Sequence, residues 1–508
     1  MNLFNKQPKD PKDLKARPLD KDLKRIGQLE HAAKEVGTNA YSLGVGVLFL
    51  VGVWVFTYVY SGGEATGVLI AAAVIGGYMA MNIGANDVAN NVGPAVGSKA
   101  LSMAGALAIA AVFEAAGALI AGGEVVSTIS KGIISTNTIA DVDTFIWAMM
   151  AALLSAALWV NLATVLNAPV STTHSIVGGV MGAGIAAAGV GAVKWPVMAA
   201  IAASWIVSPV LGGGIAAAFL IFIKWAILFR QDKIAAARRW VPVLVAIMAS
   251  VFSIYLMIKG FKRIWKPDGA TITLVAFAVL AVSYGWSRHI VARASIGMEN
   301  KRKSVAKLFT LPLICSAALL SFAHGSNDVA NAVGPLAAIV SAVDLGEIST
   351  KASLPFWVLL IGAVGISVGL ALFGPRIIKL VGEKITKLNQ VRAFCVALSA
   401  AITVIIASAF GLPVSSTHIA IGAVFGVGFV REAITNRGGG GVAEAGALDP
   451  ATLSEIDEGK LFKSWRKYRK RRLVRRQHMF SIAAAWVVTV PASAFLAAVL
   501  YFVISQLN

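Results

Sequence analysis

The chain has 508 residues, 57% of them hydrophobic and 14% charged, with a mean hydropathy of +0.76 and a formal net charge of +20. Water-soluble proteins carry roughly 25% charged residues, so a soluble enzyme or binding module is excluded. The positive excess fits the cytoplasmic loops of a membrane protein rather than nucleic-acid binding, and Cys315 and Cys395 supply neither a disulfide framework nor a metal-ligand spacing.

In chain order, residues 1–40 form a charged leader with nine Lys and Arg between Lys6 and Lys34. It is expected in the cytoplasm, with no cleavable signal peptide. An extra N-terminal span follows at 41–60, where YSLGVGVLFLVGVWVFTYVY is long enough to cross about 30 Å of hydrocarbon. Residues 61–225, the first of two repeat units, hold spans near 65–83, 101–121, 144–166, 172–191 and 196–224. A basic linker region at 226–305 holds two more, near 240–258 and 270–287. Residues 306–432, the second repeat unit, hold spans near 306–323, 355–374, 391–411 and 415–430. A cytoplasmic loop at 433–478 joins a Gly/Ala/acid-rich linker, Asn436 to Lys460, to the basic cluster KSWRKYRKRRLVRRQHMF, and a final span occupies 479–508. The fold class is therefore an all-α polytopic membrane protein with about 10–13 transmembrane segments. Small residues at four-residue spacing, as in GYMAMNIG and GGVMGAGIAAAG, allow close helix approach within a bilayer. Lys259, Lys262, Arg263 and Lys266 run against the charge bias, since they are expected on the outer side.

Two strings recur inside this apolar chain. GANDVANNVGP spans Gly84 to Pro94 and GSNDVANAVGP spans Gly325 to Pro335, which sets Asp87 and Asp328 241 residues apart. Each is followed by a Ser/Thr motif, PVSTTH from Pro169 and PVSSTH from Pro413, the two prolines 244 residues apart. Two motifs in the same order at nearly one offset indicate an internal duplication of a whole unit, with broken or re-entrant helices. A carboxylate at bilayer depth costs about 2.5–3.5 kcal/mol on insertion scales, so a duplicated one points to an ion or substrate site.

The residue types divide the chemistry. In the signatures, Gly and Gly-Pro are expected to interrupt the helix and free carbonyls, while Asp87, Asp328, Asn90 and Asn331 offer side-chain oxygens. Such a set suits a hard cation, Na⁺ held by Asp87 and Asp328, or a carboxyl that takes up a proton. In the Ser/Thr motifs, Ser171, Thr172, Thr173 and Ser415, Ser416, Thr417 follow a proline and suit helix N-termini, which attract an oxyanion. No Lys or Arg lies within the four motifs, and Lys99 is expected in a loop. An anion beside two aspartates therefore needs accompanying cations or protons, which makes symport the expected activity. Glu114 is a further acid in an apolar run and a candidate coupling residue; His174, His418 and His324 flank the motifs as hydrogen-bonding partners or substrate contacts. From residue chemistry alone three other readings stay open: a sulfate or other oxyanion permease, an intramembrane Ser/His enzyme, and an ion channel.

These motifs resemble those of the inorganic phosphate transporter (PiT) family of cation-coupled symporters, over roughly 65–225 and 306–432. FEAAGALIAGGEVVSTISKGII, which contains Glu114, is also similar to that family's segment after the first signature. The resemblance implies a helical fold with an inverted repeat, phosphate at the membrane midplane, Na⁺ or H⁺ coupling without another cofactor, a homodimer, and residence in the plasma (inner) membrane's lipid bilayer. Carried over by motif, it places Asn86, Asp87, Asn327 and Asp328 at the cation and phosphate site, with the two Ser/Thr triplets on phosphate. Two features depart from the pattern. The leader and first span lie outside the repeats, and Ala397 stands where many relatives have Glu, which leaves the coupling ion and stoichiometry open.

Overall fold

The computed structural model describes residues 40–260 apart from Asn167 and Pro169, then 265–348, 354–384, 388–437 and 476–507. The charged leader, Lys262 and Arg263, the linker from 438 and the basic cluster up to 475 lie outside the described residues. The chain divides into two compact units, Met1–Phe49 and Leu50–Asn508, with the boundary inside α1 (Ala40–Tyr60). All that follows concerns the second unit.

Its helices are α2 (Gly67–Gly97), α3 (Met103–Ala121), the short α4 (Gly123–Ser127), α5 (Val142–Val165), α6 (Thr172–Ala188), α7 (Trp195–Ile223), α8 (Lys233–Tyr255) and α9 (Gly269–Ala294). They continue as α10 (Arg302–Leu308), α11 (Thr310–Leu345), α12 (Phe356–Lys384), α13 (Gln390–Ala409), α14 (Ser416–Arg437) and α15 (Arg476–Leu507). Among the described residues twelve helices are long and apolar enough to cross a membrane. The 17-residue α6 accounts for the thirteenth apolar segment of the sequence. Starts are set by local side chains: Thr66 accepts from the Leu69 amide, Ser102 from Gly105, Asp141 from Thr144, and Asn389 from Arg392, each satisfying an N–H that has no intrahelical acceptor.

The two repeats interlock. Signature helix α2 packs along α12 and signature helix α11 along α3; α6 packs along α15 and α14 along α7. Glycines make this possible. A Cβ on Gly117 of α3 would collide with the Phe322 carbonyl of α11, and one on Gly369 of α12 with the Met81 carbonyl of α2. Bare backbone at these points is the small-residue device of membrane helix pairs. The same relation, at Gly178 and Gly182 against α15 and at Gly422 and Gly426 against α7, makes α15 the partner-swapped counterpart of α7.

Two expectations change. The signatures are not interrupted: α2 and α11 run as continuous α-helix through both, with Pro94 and Pro335 inside them. Each proline removes one amide donor, but the Asn and Asp side chains find partners on other helices and no break is needed. The break falls at the Ser/Thr motifs instead, between Val165 and Thr172 and between Ala409 and Ser416. The second change concerns the basic outer stretch. Lys259 lies 3.3 Å from the carboxylate of Glu124, so a lysine that strains the charge bias is neutralised by an acid near the end of a neighbouring span.

Candidate functional site

The site is assembled where the two signature helices meet the two broken helix starts. Ser171 caps α6 by accepting the His174 amide at 3.1 Å, and Ser415 caps α14 by accepting the His418 amide at 3.3 Å. That geometry leaves the amides of Thr172 and Thr173, and of Ser416 and Thr417, ahead of the first intrahelical hydrogen bond. The two starts touch: Thr173 donates to the Val414 carbonyl at 3.0 Å, and the rings of His174 and His418 lie 4.4 Å apart. Both serine hydroxyls receive a backbone amide, which is the geometry of a cap and not of a nucleophile activated by the neighbouring imidazole.

Each signature asparagine does one job in both repeats. Asn86 donates to the Val170 carbonyl at 2.9 Å, and Asn327 donates to the Leu412 carbonyl at 3.2 Å while accepting the Val414 amide at 3.4 Å. These bonds tie a signature helix to the loop before its own repeat's Ser/Thr start. The next asparagine crosses over. Asn90 donates to Thr417 at 2.8 Å and Asn331 to Thr173 at 3.1 Å, so each signature also holds the other repeat's helix start.

The aspartates collect the hydroxyls. Asp87 accepts from Thr172 at 2.9 Å and from Thr417 at 3.0 Å, and Asp328 accepts from Ser416 at 3.3 Å and lies 3.5 Å from Thr172. Thr172 thus stands between both carboxylates with one proton to donate. The Asp328 Oδ1 and Asn331 Oδ1 oxygens are buried without a hydrogen-bond donor among the described residues. Buried acceptors without donors are costly, and oxygens of this kind fit a hard cation. Asp87, His324 and Asp328 converge closely enough for one ion to touch all three, although the oxygen-rich part of the cluster suits Na⁺ better than the imidazole does.

Glu114 lies beside this centre on α3, fully buried. It accepts from Asn91 at 2.7 Å, and its other oxygen is 3.2 Å from His324 Nδ1. His324 Nε2 is 3.0 Å from Asp328 and 3.8 Å from Asp87. A neutral imidazole has one N–H, so only the imidazolium can donate towards both Glu114 and Asp328. Here the twofold pattern fails. Gly325 abuts Glu114 as Gly84 abuts Ile366, and the positions matching His324 and Asn91 are Ile83 and Ala332. The buried Asn–Glu–His chain therefore joins two residues of the first repeat, Asn91 and Glu114, to His324 of the second, and the twofold-related set, Ala332, Ile366 and Ile83, is apolar at all three places.

All thirteen residues singled out from the sequence come together, but with divided tasks. Ser171 and Ser415 are caps, Thr172, Ser416 and Thr417 face carboxylates, and Thr173 is held by Asn331. Lys99 is exposed just beyond α2, at φ +62°, and takes no part. Sequence reasoning passed over Asn91, which lies inside the first signature, and Ser408 and Thr164, which contact Asn327 at 2.9 Å and Asn86 at 3.5 Å. It also gave His324 no specific partner. The signal for Asn91 was present as one of the two positions where the signatures differ, Asn91 against Ala332 and Ala85 against Ser326.

The Phosphate transporter family model matches residues 83–497, from the first signature through most of α15. The chain belongs to the phosphate transporter family. A Helicobacter pylori (strain J99) protein named "Putative phosphate permease" is 45% identical over 523 residues, covering 94% of this chain and 98% of the relative. A Pyrococcus abyssi protein of the same description is 36% identical over 372 residues, covering 72% of this chain and 89% of the relative. Among solved structures, a sodium-dependent phosphate transporter aligns with a TM-score of 0.75 at 32% identity, over 87% of this chain and 100% of that one. The phosphate transporter fold and its family are those of a multi-pass membrane transporter, not of an enzyme.

Proposed function

We propose that the protein is a secondary active symporter that moves inorganic phosphate with Na⁺ by alternating access, using the cross-repeat site. The observation that carries this reading is the pair of helix starts at α6 and α14, held against two buried aspartates with no Lys or Arg among the site residues. Free amides at a helix N-terminus take an oxyanion, while the carboxylate oxygens and the donor-less Asp328 Oδ1 and Asn331 Oδ1 take the cation. Without that cation the phosphate would meet two like charges at low dielectric, so the two ligands enter together. In this reading Asn86 and Asn327 position the loops against phosphate, and Asp87, Asp328, Asn90 and Asn331 serve the cation. Alternating access follows from the interlock, because the helix starts are held by the opposite repeat and a rocking of one repeat against the other exchanges those holds. Residence in the plasma (inner) membrane and a homodimer enter from the family resemblance.

A second reading, H⁺ coupling, is favoured by His324 standing between Glu114 and Asp328. Calorimetric titration of phosphate into the purified protein distinguishes them. On the Na⁺ reading affinity rises with Na⁺ at fixed pH and excess sulfate does not displace phosphate. Affinity that follows pH and ignores Na⁺ would transfer the coupling to protons, and full displacement by sulfate would overturn phosphate as the substrate.

A further inference from the structure

The hairpin of α8 and α9 joins the two repeats and contributes nothing to the site above, yet it carries a cleft of its own. Ala235, Arg238 and Arg239 of α8 face Tyr284, Arg288 and Ala292 of α9 around a cavity of about 370 Å³. Three guanidinium groups line it with no carboxylate. Among the described residues none of the three pairs with an acid, so no described carboxylate balances their charge.

The cleft is braced rather than improvised. Arg238 donates through Nε to Ser295 Oγ at 2.6 Å and through Nη2 to the Ser295 carbonyl at 3.3 Å. Asn300 ties the same end of the hairpin, accepting the Lys233 amide at 2.9 Å and donating to the Gln231 carbonyl at 2.7 Å. Arg239 lies over the Trp240 ring and Arg288 over that of Tyr284, contacts that orient a guanidinium while leaving its N–H fork available.

What lies beside the cleft names the ligand. Along α9 Leu274 and Phe277, 71% and 67% exposed, share the face that carries Tyr284 and Arg288 and form an apolar wall leading from the start of the helix to the cleft, while Val282 and Trp286, 72% and 53% exposed, lie on the adjoining face. The start of α8 and the end of α9 carry Lys233, Arg238, Arg239, Arg288 and Arg293, which places this end at the cytoplasmic face. A basic pocket between membrane helices at that face, opening on an apolar wall, matches a phosphate head group above its acyl chains. Free phosphate would use the arginines but not the wall.

We infer that the Arg238–Arg239–Arg288 cleft binds the phosphate head group of an anionic phospholipid whose acyl chains lie along α9. The ligand chemistry is a phosphate monoanion held by arginine forks, and the site is separate from the transport centre. On its other side α8 packs on signature helix α11, with the Phe252 and Phe322 rings 5.0 Å apart, so a bound lipid braces the helix that carries Asp328.

The test is native mass spectrometry of the full chain released from detergent, titrated with phosphatidylglycerol or phosphatidylcholine. The wild type is expected to retain phosphatidylglycerol in preference to phosphatidylcholine, and R239Q/R288Q to bind it on the order of tenfold or more weaker. That variant leaves Arg238 and its Ser295 bonds in place. The charge-matched K301Q/K303Q, at the same membrane face outside the cleft, is expected to retain wild-type binding, and R239K/R288K to recover part of it. Equal loss in both glutamine variants would reduce the effect to bulk surface charge and overturn the site. No preference for phosphatidylglycerol in the wild type would overturn it as well, whether the face is bare or covered by a second copy. Displacement of the lipid by inorganic phosphate at concentrations that occupy the transport site would assign the cleft to the free ion instead.

Discussion

Asp87 and Asp328 are each read by hydroxyls from the two Ser/Thr helix starts, and replacing either carboxylate by an amide keeps the volume while removing the charge that a cation needs. Asp328→Asn is expected to abolish phosphate uptake while the protein reaches the membrane in wild-type amount, and transport at the wild-type rate would remove the aspartate from the coupling scheme. The asymmetric chain gives a sharper test. The triple variant N91A/E114I/H324I writes in the apolar residues of the twofold-related positions, Ala332, Ile366 and Ile83. Replacing a buried ionic group as a whole by apolar residues is often neutral or stabilising, so its thermal midpoint is expected to match or exceed the wild type while coupled uptake is lost. Retained uptake would make the Asn–Glu–His chain structural. At this scale the sequence was most informative where it repeats. The duplicated Asn, Asp, Ser and Thr could be picked out without coordinates because each polar residue in an apolar run needs a partner. Glu114's partners Asn91 and His324 could not, because neither recurs at the matching position of the other repeat and the three meet only through the packing of α2, α3 and α11.

Among the elements, the helix boundaries followed side-chain chemistry except at the signatures. Gly84 and Gly93-Pro94 read as breakers, yet α2 continues to Gly97. The glycine at 84 serves close approach to α12, where a Cβ would meet the Ile366 carbonyl, and no local rule separates that use from a helix break. Gly117→Ala is expected to lower stability by about 1–3 kcal/mol or more through overpacking against α11, read as a fall in thermal midpoint in detergent; an unchanged midpoint would contradict the contact. A pH effect belongs to the start of α5, outside the membrane span. The Thr144 amide donates to Asp141 at 2.7 Å and holds that carboxyl below its usual value. Because the folded value is the lower one, the cap's contribution is complete above the unfolded pKa of about 3.9 and is lost as pH falls through the folded value. Hydrogen exchange at the Thr144 amide is expected to speed up across that acid window in the wild type and to be fast at all pH values in Asp141→Ala.

For the whole molecule, the number of apolar segments and their helical character followed from composition and length, since a bilayer leaves few alternatives. The interlock did not. That α2 lies on α12 and α11 on α3 depends on glycine contacts between residues far apart in the chain, Gly369 with Met81 and Gly117 with Phe322, and hydropathy carries no record of which span faces which. The interlock also gives the proposed site its elements from both repeats, since Asn90 holds Thr417 and Asn331 holds Thr173. An inside-negative membrane opposes entry of an uncompensated anion by about 2.3 kcal/mol per charge per 100 mV, so coupling to a cation decides whether accumulation occurs at all. The most direct measurement is labelled phosphate uptake into proteoliposomes holding the purified full chain, with a Na⁺ gradient imposed at constant pH. Concentrative, saturable uptake that needs the inward Na⁺ gradient, and collapses in Asp328→Asn, is the predicted result. Phosphate flux that is unchanged without Na⁺, or that persists in Asp328→Asn, would contradict the coupled cross-repeat site.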